Sequence, residues 1–265
     1  MIKKTFFPFL CLFLMLIACG ESDEDNVEFQ TITTDKKIKL SNEKQSPTCT
    51  VHLQLEEATK ANGHRGEVIN AAVMKRLLDE DEETMELAAD AFAYKYVSSY
   101  KKTMLPLYNK DRTDTTKRSW YEYHYVITSS TQKGSKGTLV YLATIDYYEG
   151  GAHGINQLIT MNFEAKTGRQ LTLDDIFVPG YEQHLKEVLL DALKAKTGCK
   201  TMRALRDKGY LYSMEMFPSE NFILGDETIT FVYNPYEIAP YAVGSTELII
   251  PFGDIKDLLK NSFEY

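Results

Sequence analysis

Two runs of alternating apolar and polar residues, joined by a glycine-rich segment, constrain the fold of this chain most strongly. Residues 139–147 and 155–163 each place apolar or aromatic side chains at every second position, with Gln157 as the exception. This is the period of a β-strand with one buried face. The short connection between them has three glycines within residues 150–154, which favours an antiparallel hairpin. A third alternating run at 121–127 comes before the pair, so we predict a three-stranded antiparallel meander.

The residues before the meander predict one strand and two helices. Alternation at 51–55 indicates a half-buried strand. Apolar residues at helical spacing then predict helices at 69–77 and 85–100, the second of which should end before Pro106.

The residues after the meander predict a second small unit. Asp174 or Asp175 is well placed as a helix N-cap, and an amphipathic helix at 181–193 should end at Gly198. The remaining predicted elements are a hairpin at 222–233, a strand at 248–250 and a short helix at 255–259, whereas residues 200–220 show no clear pattern. The predicted fold class is α+β, with antiparallel sheets and packed helices in two subdomains, 48–168 and 169–265.

Residues 1–18 have the pattern of an export signal. Two lysines precede an apolar run at 6–17, which is too short to span a bilayer because that takes about 20 apolar residues. Ala18 directly before Cys19 indicates a bacterial lipoprotein signal with lipid on Cys19, and the alternative is an ordinary secretory signal that contains a cysteine. We therefore predict a protein of the cell envelope, anchored to the outer membrane by acyl chains such as palmitate, on the periplasmic face or the cell surface.

The segment after the signal and the overall charge bear on the partners. Residues 19–47 have few large apolar side chains and predict a flexible acidic tether. The formal net charge is −8, and cleavage of the signal would remove two lysines and leave a more acidic protein. Nucleic acid is therefore not an expected partner, whereas a cationic protein would be attracted.

Four cysteines are present. Cys11 would leave with the signal and Cys19 would carry lipid, so Cys49 and Cys199 remain. Two cysteines in an exported protein most often form a disulfide, and we predict one here. The alternative is two separate buried thiols.

Three sequence motifs resemble a known family when they occur in this order. They are Gly-Gly-Ala-His-Gly at 150–154, Leu-Thr-Leu-Asp-Asp-Ile-Phe at 171–177 and Pro-Tyr-Glu-Ile-Ala-Pro-Tyr-Ala-Val-Gly at 235–244. The resemblance, which extends over nearly all of 48–260, is to a pair of bacterial envelope domains of unknown function. Such domains form the extracellular part of lysozyme-sensing anti-sigma factors and precede the catalytic domain of some peptidoglycan deacetylases.

The resemblance implies an extracytoplasmic binding module whose ligand is a lysozyme-like protein or a cell-wall glycan such as peptidoglycan. No sigma-binding segment or deacetylase domain is recognised in this sequence, so we expect neither activity to carry over. No phosphate-binding or dinucleotide motif occurs, and the histidines lack the close spacing of a zinc site, so no metal or cofactor is expected.

The glycine-rich loop and the aromatic turn at 235–241 are the candidate sites. His153 could contact a ligand, act as a general base with Glu149 or Asp146, or simply hydrogen-bond local backbone in a tight turn. The tyrosines of the turn could pack on a sugar or a partner protein, or they could fill the core. The predicted ligand-binding residues are Tyr148, Glu149, His153, Asn156, Tyr236, Glu237 and Tyr241. A glycan hydrolase or deacetylase using His153, and a structural subunit of a surface complex, are the alternatives to a binding module.

Overall fold

The computed structural model describes residues 26–135 and 137–263, and the predicted signal peptide and Cys19 lie outside these ranges. The chain forms a six-stranded sheet, a separate three-stranded sheet and packed helices, which confirms the α+β fold class. The first sheet contains β1 Phe29–Lys39, β2 Thr48–Ala58, β3 Tyr123–Lys133, β4 Thr138–Tyr148, β5 Ile155–Glu164 and β6 Gln170–Leu171, in that spatial order.

The predicted meander is confirmed by the pairing of β3, β4 and β5. All three are antiparallel neighbours, with Tyr125 opposite Tyr147 and Tyr147 opposite Ile155. Their alternating side chains put one face of the sheet into the core, as the period of two requires. The glycine-rich loop therefore lies at one end of the sheet, between β4 and β5.

One pairing in the first sheet is not antiparallel as predicted. Strand β2 is parallel to β3, with Cys49 opposite Tyr123 and Leu53 opposite Ile127. Helices α1 His64–Leu78 and α2 Met85–Asp111 lie between these strands in the chain. Parallel neighbours need a long crossover connection, and the two helices provide it.

The predicted tether, 19–47, is wrong for residues 29–39, which form β1. This strand pairs antiparallel with β2 along its whole length, from Phe29 opposite Ala58 to Lys39 opposite Thr48. Its own sequence is mostly polar, so its stability comes from the hydrogen bonds of the ladder and from packing on α2. A strand stabilised in this way needs no alternation of apolar and polar residues, so its sequence does not reveal it.

Helix α2 continues through Pro106 instead of ending before it. A proline removes one helical hydrogen bond, here the bond to the carbonyl of Lys102. Both residues are exposed, so water can serve that carbonyl. Beyond the proline, Tyr108 is buried and its ring packs edge-on against Tyr121 at 5.3 Å, which holds the last turns in place.

The second half of the chain contains three short or medium helices and the second sheet. The elements are α3 Leu173–Ile176, α4 Glu182–Thr197, α5 Met202–Asp207, β7 Phe222–Leu224, β8 Thr228–Tyr233 and β9 Thr246–Pro251. Strands β7, β8 and β9 are antiparallel, so the predicted hairpin is confirmed. Helix α4 packs against β9 and ends at Gly198, whose φ of 69° is the left-handed cap expected of glycine.

Two local predictions in this half are wrong. Thr172 is the N-cap of α3, and Asp175 accepts hydrogen bonds from the Thr172 backbone N–H and hydroxyl, each at 2.9 Å. The predicted closing helix at 255–259 is a single 3₁₀ turn, Lys256–Leu258, which follows another at Phe252–Asp254. Its backbone pairs instead with the segment after α3, where Val178 N–H donates to the Leu258 carbonyl.

The predicted disulfide is also wrong, because Cys49 and Cys199 are both free and buried. Cys49 lies in a cluster of buried apolar side chains built from the first sheet and its helices, whereas Cys199 lies in a second cluster built from the C-terminal half. Burial, with a smaller effect of the Glu149 charge, raises the pKa of the Cys49 thiol to about 12. Each thiol therefore behaves as a small apolar side chain of its own core.

Among the described residues, no helix combines the length and apolar character needed to cross a bilayer.

Candidate functional site

Buried asparagine side chains join the two sheets and set the position of the candidate site. Asn234, at the end of β8, accepts from the Leu158 N–H at 2.8 Å and donates to the Leu158 carbonyl at 3.0 Å. Asn221 donates to the same carbonyl and accepts from the Thr160 N–H, each at 2.7 Å. Each side-chain amide thus bonds to β5 in the way that the backbone of a neighbouring strand would.

A third buried asparagine lies on the first sheet and bonds to the backbone of the second. Asn162, on β5, donates to the Phe222 carbonyl at 2.7 Å and accepts from the Leu224 N–H at 2.9 Å. The edge of β7 is thus paired with side-chain amides of the first sheet. We name the set Asn162, Asn221 and Asn234 the amide bridge; it brings the turn after β8 next to the loop between β4 and β5.

This arrangement stacks aromatic rings from the two predicted segments. The rings of His153 and Tyr241 are nearly parallel, with centroids 3.7 Å apart and an interplanar angle of 10°. The ring of Tyr236 also stacks on that of Tyr241, with centroids 6.0 Å apart. Its hydroxyl lies 3.3 Å from His153 Nε2. We call His153, Tyr236 and Tyr241 the aromatic stack.

The hydrogen bonds of His153 assign its tautomer. Nδ1 lies 2.9 Å from the carbonyl oxygen of Gly154, and a carbonyl oxygen can only accept. Nδ1 therefore carries a hydrogen, and Nε2 lies within hydrogen-bond distance of the Tyr236 hydroxyl. Both nitrogens are already engaged within the protein.

Tyr236 occupies an unusual backbone conformation. Its φ is 74°, a region that side-chain-bearing residues rarely adopt. The turn is closed by the Tyr236 N–H donating to the Ala239 carbonyl and by the Asn234 N–H donating to the Glu237 carboxylate. The result is a tyrosine side chain that is 59 % exposed. Backbone strain that holds an apolar ring in solvent points to a functional role.

The Glu237 side chain helps to hold the turn. The residue is partly buried, and this burial raises the pKa of its carboxyl, although the Asn234 N–H and the nearby charge of Arg76 act in the opposite direction. Its carboxylate already accepts from the turn backbone, so its main contribution is to shape the turn that carries Tyr236.

Three predicted ligand-binding residues lie near the aromatic stack in sequence but are not part of it. Tyr148 donates to the Gly151 carbonyl at 2.9 Å and stacks on His124 at 6.2 Å. Glu149 is exposed. Burial and the charge of Glu149 raise the pKa of Tyr96, whose buried hydroxyl has no hydrogen-bond partner in the described part of the chain. Asn156 is exposed on β5.

Among the residues that the structure describes, the two predicted catalytic partners are not hydrogen-bonded to His153. Asp146 hydrogen-bonds to His124 at 2.9 Å, and within residues 26–135 and 137–263 neither Asp146 nor Glu149 hydrogen-bonds to His153. Over the same ranges, no three His, Cys, Asp or Glu side chains are grouped so that they could hold a metal ion.

The amide bridge was missed by sequence reasoning. Its residues fall within or beside apolar strand runs, where a buried amide needs hydrogen-bond partners from outside its own strand. That misplaced polarity is the one signal that could have drawn attention to Asn162 and Asn221.

Comparison with known proteins shows which family and which solved structures this chain is similar to. Residues 174–253 match the model of a protein family of unknown function, DUF3298. A crystal structure of a DUF3298 family member from Bacteroides fragilis is 30 % identical, with a TM-score of 0.81 over 89 % of this chain and 94 % of that one. A DUF3298 family protein from Pseudomonas aeruginosa, 16 % identical with a TM-score of 0.60 over 91 % of this chain and 98 % of that one, shares the fold.

The chain is also similar to part of a curated bacterial enzyme. The peptidoglycan-N-acetylmuramic acid deacetylase of Bacillus subtilis is 27 % identical over 211 residues, or 79 % of this chain. The chain spans only 42 % of the length of that enzyme. Since the Bacteroides fragilis family member is matched at 30 % identity over nearly its whole length, the present chain belongs to the DUF3298 family.

Proposed function

We propose that this protein is a binding module of the cell envelope that holds cell-wall glycan against the aromatic stack. The observation that carries the proposal is the exposed, strained Tyr236 beside the stacked His153 and Tyr241. Flat aromatic faces bind well to the apolar faces of sugar rings, while tyrosine hydroxyl groups supply hydrogen bonds at the edge. The relationship to a peptidoglycan deacetylase supports glycan as the ligand class.

Preorganisation supports binding at this site. The amide bridge fixes the turn on the first sheet, and the Tyr236–His153 hydrogen bond fixes the rings relative to each other. A ligand that meets rings already held in place loses less conformational entropy on binding.

Replacing Tyr241 with alanine should remove the central ring of the site. We expect the affinity for a peptidoglycan oligosaccharide to fall about 30-fold, which corresponds to roughly 2 kcal/mol for a central aromatic contact. Isothermal titration calorimetry with purified glycan fragments measures the change.

The matched control is Tyr212→Ala, because Tyr212 is 80 % exposed and lies outside the stack. An equal loss in both variants, or no heat with the unmodified protein at any glycan length, would contradict the proposal. Acetate release from the same fragments that disappears in His153→Ala would favour the deacetylase alternative. Binding of lysozyme without binding of glycan would instead favour a protein partner for the acidic surface.

The envelope location rests on Cys19, and Cys19→Ser tests it. Without its thiol the chain cannot carry acyl groups there, so we expect the protein to move from the membrane fraction to the soluble fraction. Cell fractionation and mass spectrometry of the N-terminal peptide measure both effects. Cys11→Ser is the control, since Cys11 would be removed with the signal; an unmodified Cys19 on membrane-bound protein would sink the prediction.

A further inference from the structure

The sole tryptophan of the chain, Trp120, lies outside the proposed site as described so far. Its side chain is 53 % exposed, near the end of a 3₁₀ segment, Thr115–Tyr121, that leads into β3. A large exposed apolar ring can be a binding residue or can be exposed by chance, and the contacts around it decide between the two.

The chain directly after Trp120 is firmly held. The Tyr121 carbonyl accepts from the buried Tyr100 hydroxyl, and the Tyr121 hydroxyl donates to Asp111, each at 2.8 Å. The Glu122 carboxylate accepts from the Thr48 N–H at 2.7 Å and from the Thr48 hydroxyl at 2.9 Å. An exposed aromatic on a rigid backbone is a typical recognition residue, because its ordering costs little entropy.

The same backbone touches the glycine-rich loop. A Cβ placed on Gly150, whose φ is 83°, would lie 2.8 Å from the Trp120 carbonyl oxygen. This contact requires glycine at that position. It also follows from the register, since His124 is opposite Tyr148 and the chain before β3 therefore runs beside the chain after β4.

Sheet order then places Trp120 and the aromatic stack on opposite sides of the loop. Strands β3, β4 and β5 are neighbours in that order, and two strand spacings amount to about 10 Å. The amide bridge adds the Tyr236–Tyr241 turn on the β5 side. Trp120, the glycine-rich loop and the stack thus follow one another across one end of the sheet.

We infer that Trp120 is a second contact for the glycan, so that the site takes an extended chain of several sugars and not a single sugar. This inference rests on the proposed function. A single pyranose ring is too small to reach both Trp120 and Tyr241, whereas a linear β-linked oligosaccharide presents successive apolar ring faces along its length. Exposed polar side chains lie between the two contacts, including Glu149 in the loop and Asn156 at the start of β5.

The experiment compares a disaccharide with a hexasaccharide of the same peptidoglycan amino sugars. We expect Trp120→Ala to weaken hexasaccharide binding about tenfold and to leave disaccharide binding unchanged, whereas Tyr241→Ala should weaken both. Trp120→Phe should retain most of the affinity, and Tyr94→Ala, an exposed aromatic on α2, is the control for surface truncation.

Intrinsic fluorescence gives a second readout that needs no variant. Because Trp120 is the sole tryptophan, the hexasaccharide should change its emission and the disaccharide should not. Equal affinity for both lengths, no change in emission, or a Trp120→Ala variant that binds the hexasaccharide normally would overturn the inference while Tyr241→Ala still tests the proposed function. Failure of both sugars to bind would overturn the proposed function and this inference together.

Discussion

The double variant Asn162→Ala/Asn221→Ala should be about 4 kcal/mol less stable than the unmodified protein. It leaves the N–H groups of Thr160 and Leu224 buried without an acceptor, and each such group costs about 1–3 kcal/mol. A melting temperature lower by roughly 8–16 °C is expected for a chain of this size. Thermal and urea unfolding, followed by circular dichroism, measure the loss. Since the amide bridge also positions the turn that carries Tyr236, glycan binding should weaken in the same variant below its melting point.

Asn156→Ala is the matched control for stability. Asn156 lies on the same strand, is exposed, and in the described part of the chain makes no side-chain hydrogen bond, so its loss should change the unfolding free energy by less than about 0.5 kcal/mol. If the double variant melts with the control, the bridge contributes no net stability. If it melts early but binds glycan with full affinity, the bridge does not position the stack.

Gly168→Ala should lower the unfolding free energy by about 3 kcal/mol. Gly168 has a φ of 75°, and a Cβ there would overlap the Arg65 carbonyl oxygen at the start of α1. The variant combines a left-handed backbone cost of about 1–2 kcal/mol with an overpacking cost of about 1–3 kcal/mol. Urea unfolding should show a lower midpoint.

Gly180→Ala separates the two costs. Gly180 has a similar φ of 86°, but nothing lies within 4 Å of a Cβ placed on it. This variant should therefore show the backbone cost alone, about 1–2 kcal/mol. Equal losses at both positions would mean that the turn moves away from α1 at no cost and that the contact with Arg65 is unimportant.

The sequence drew attention to the two segments of the candidate site but not to the way they meet. The aromatic turn and His153 stood out because glycine, proline and tyrosine cluster there. The stack itself joins Tyr236 to a residue 83 positions earlier, and no local pattern encodes such a pairing. Tyr148 and Glu149 were predicted from their closeness in sequence to His153, but they make contacts elsewhere.

The α+β class, the β3–β4–β5 meander and the end of α4 at Gly198 follow from the sequence alone, because hydrophobic period and glycine conformation act within a few residues. Three features follow only from long-range packing: the strand formed by polar residues 29–39, the parallel pairing of β2 with β3, and the passage of α2 through Pro106. The separate burial of Cys49 and Cys199 and the amide bridge between the sheets have the same origin. The physical reason is that periodicity specifies which face is buried, whereas the partner that satisfies a strand edge or a buried amide is set by packing across the whole chain.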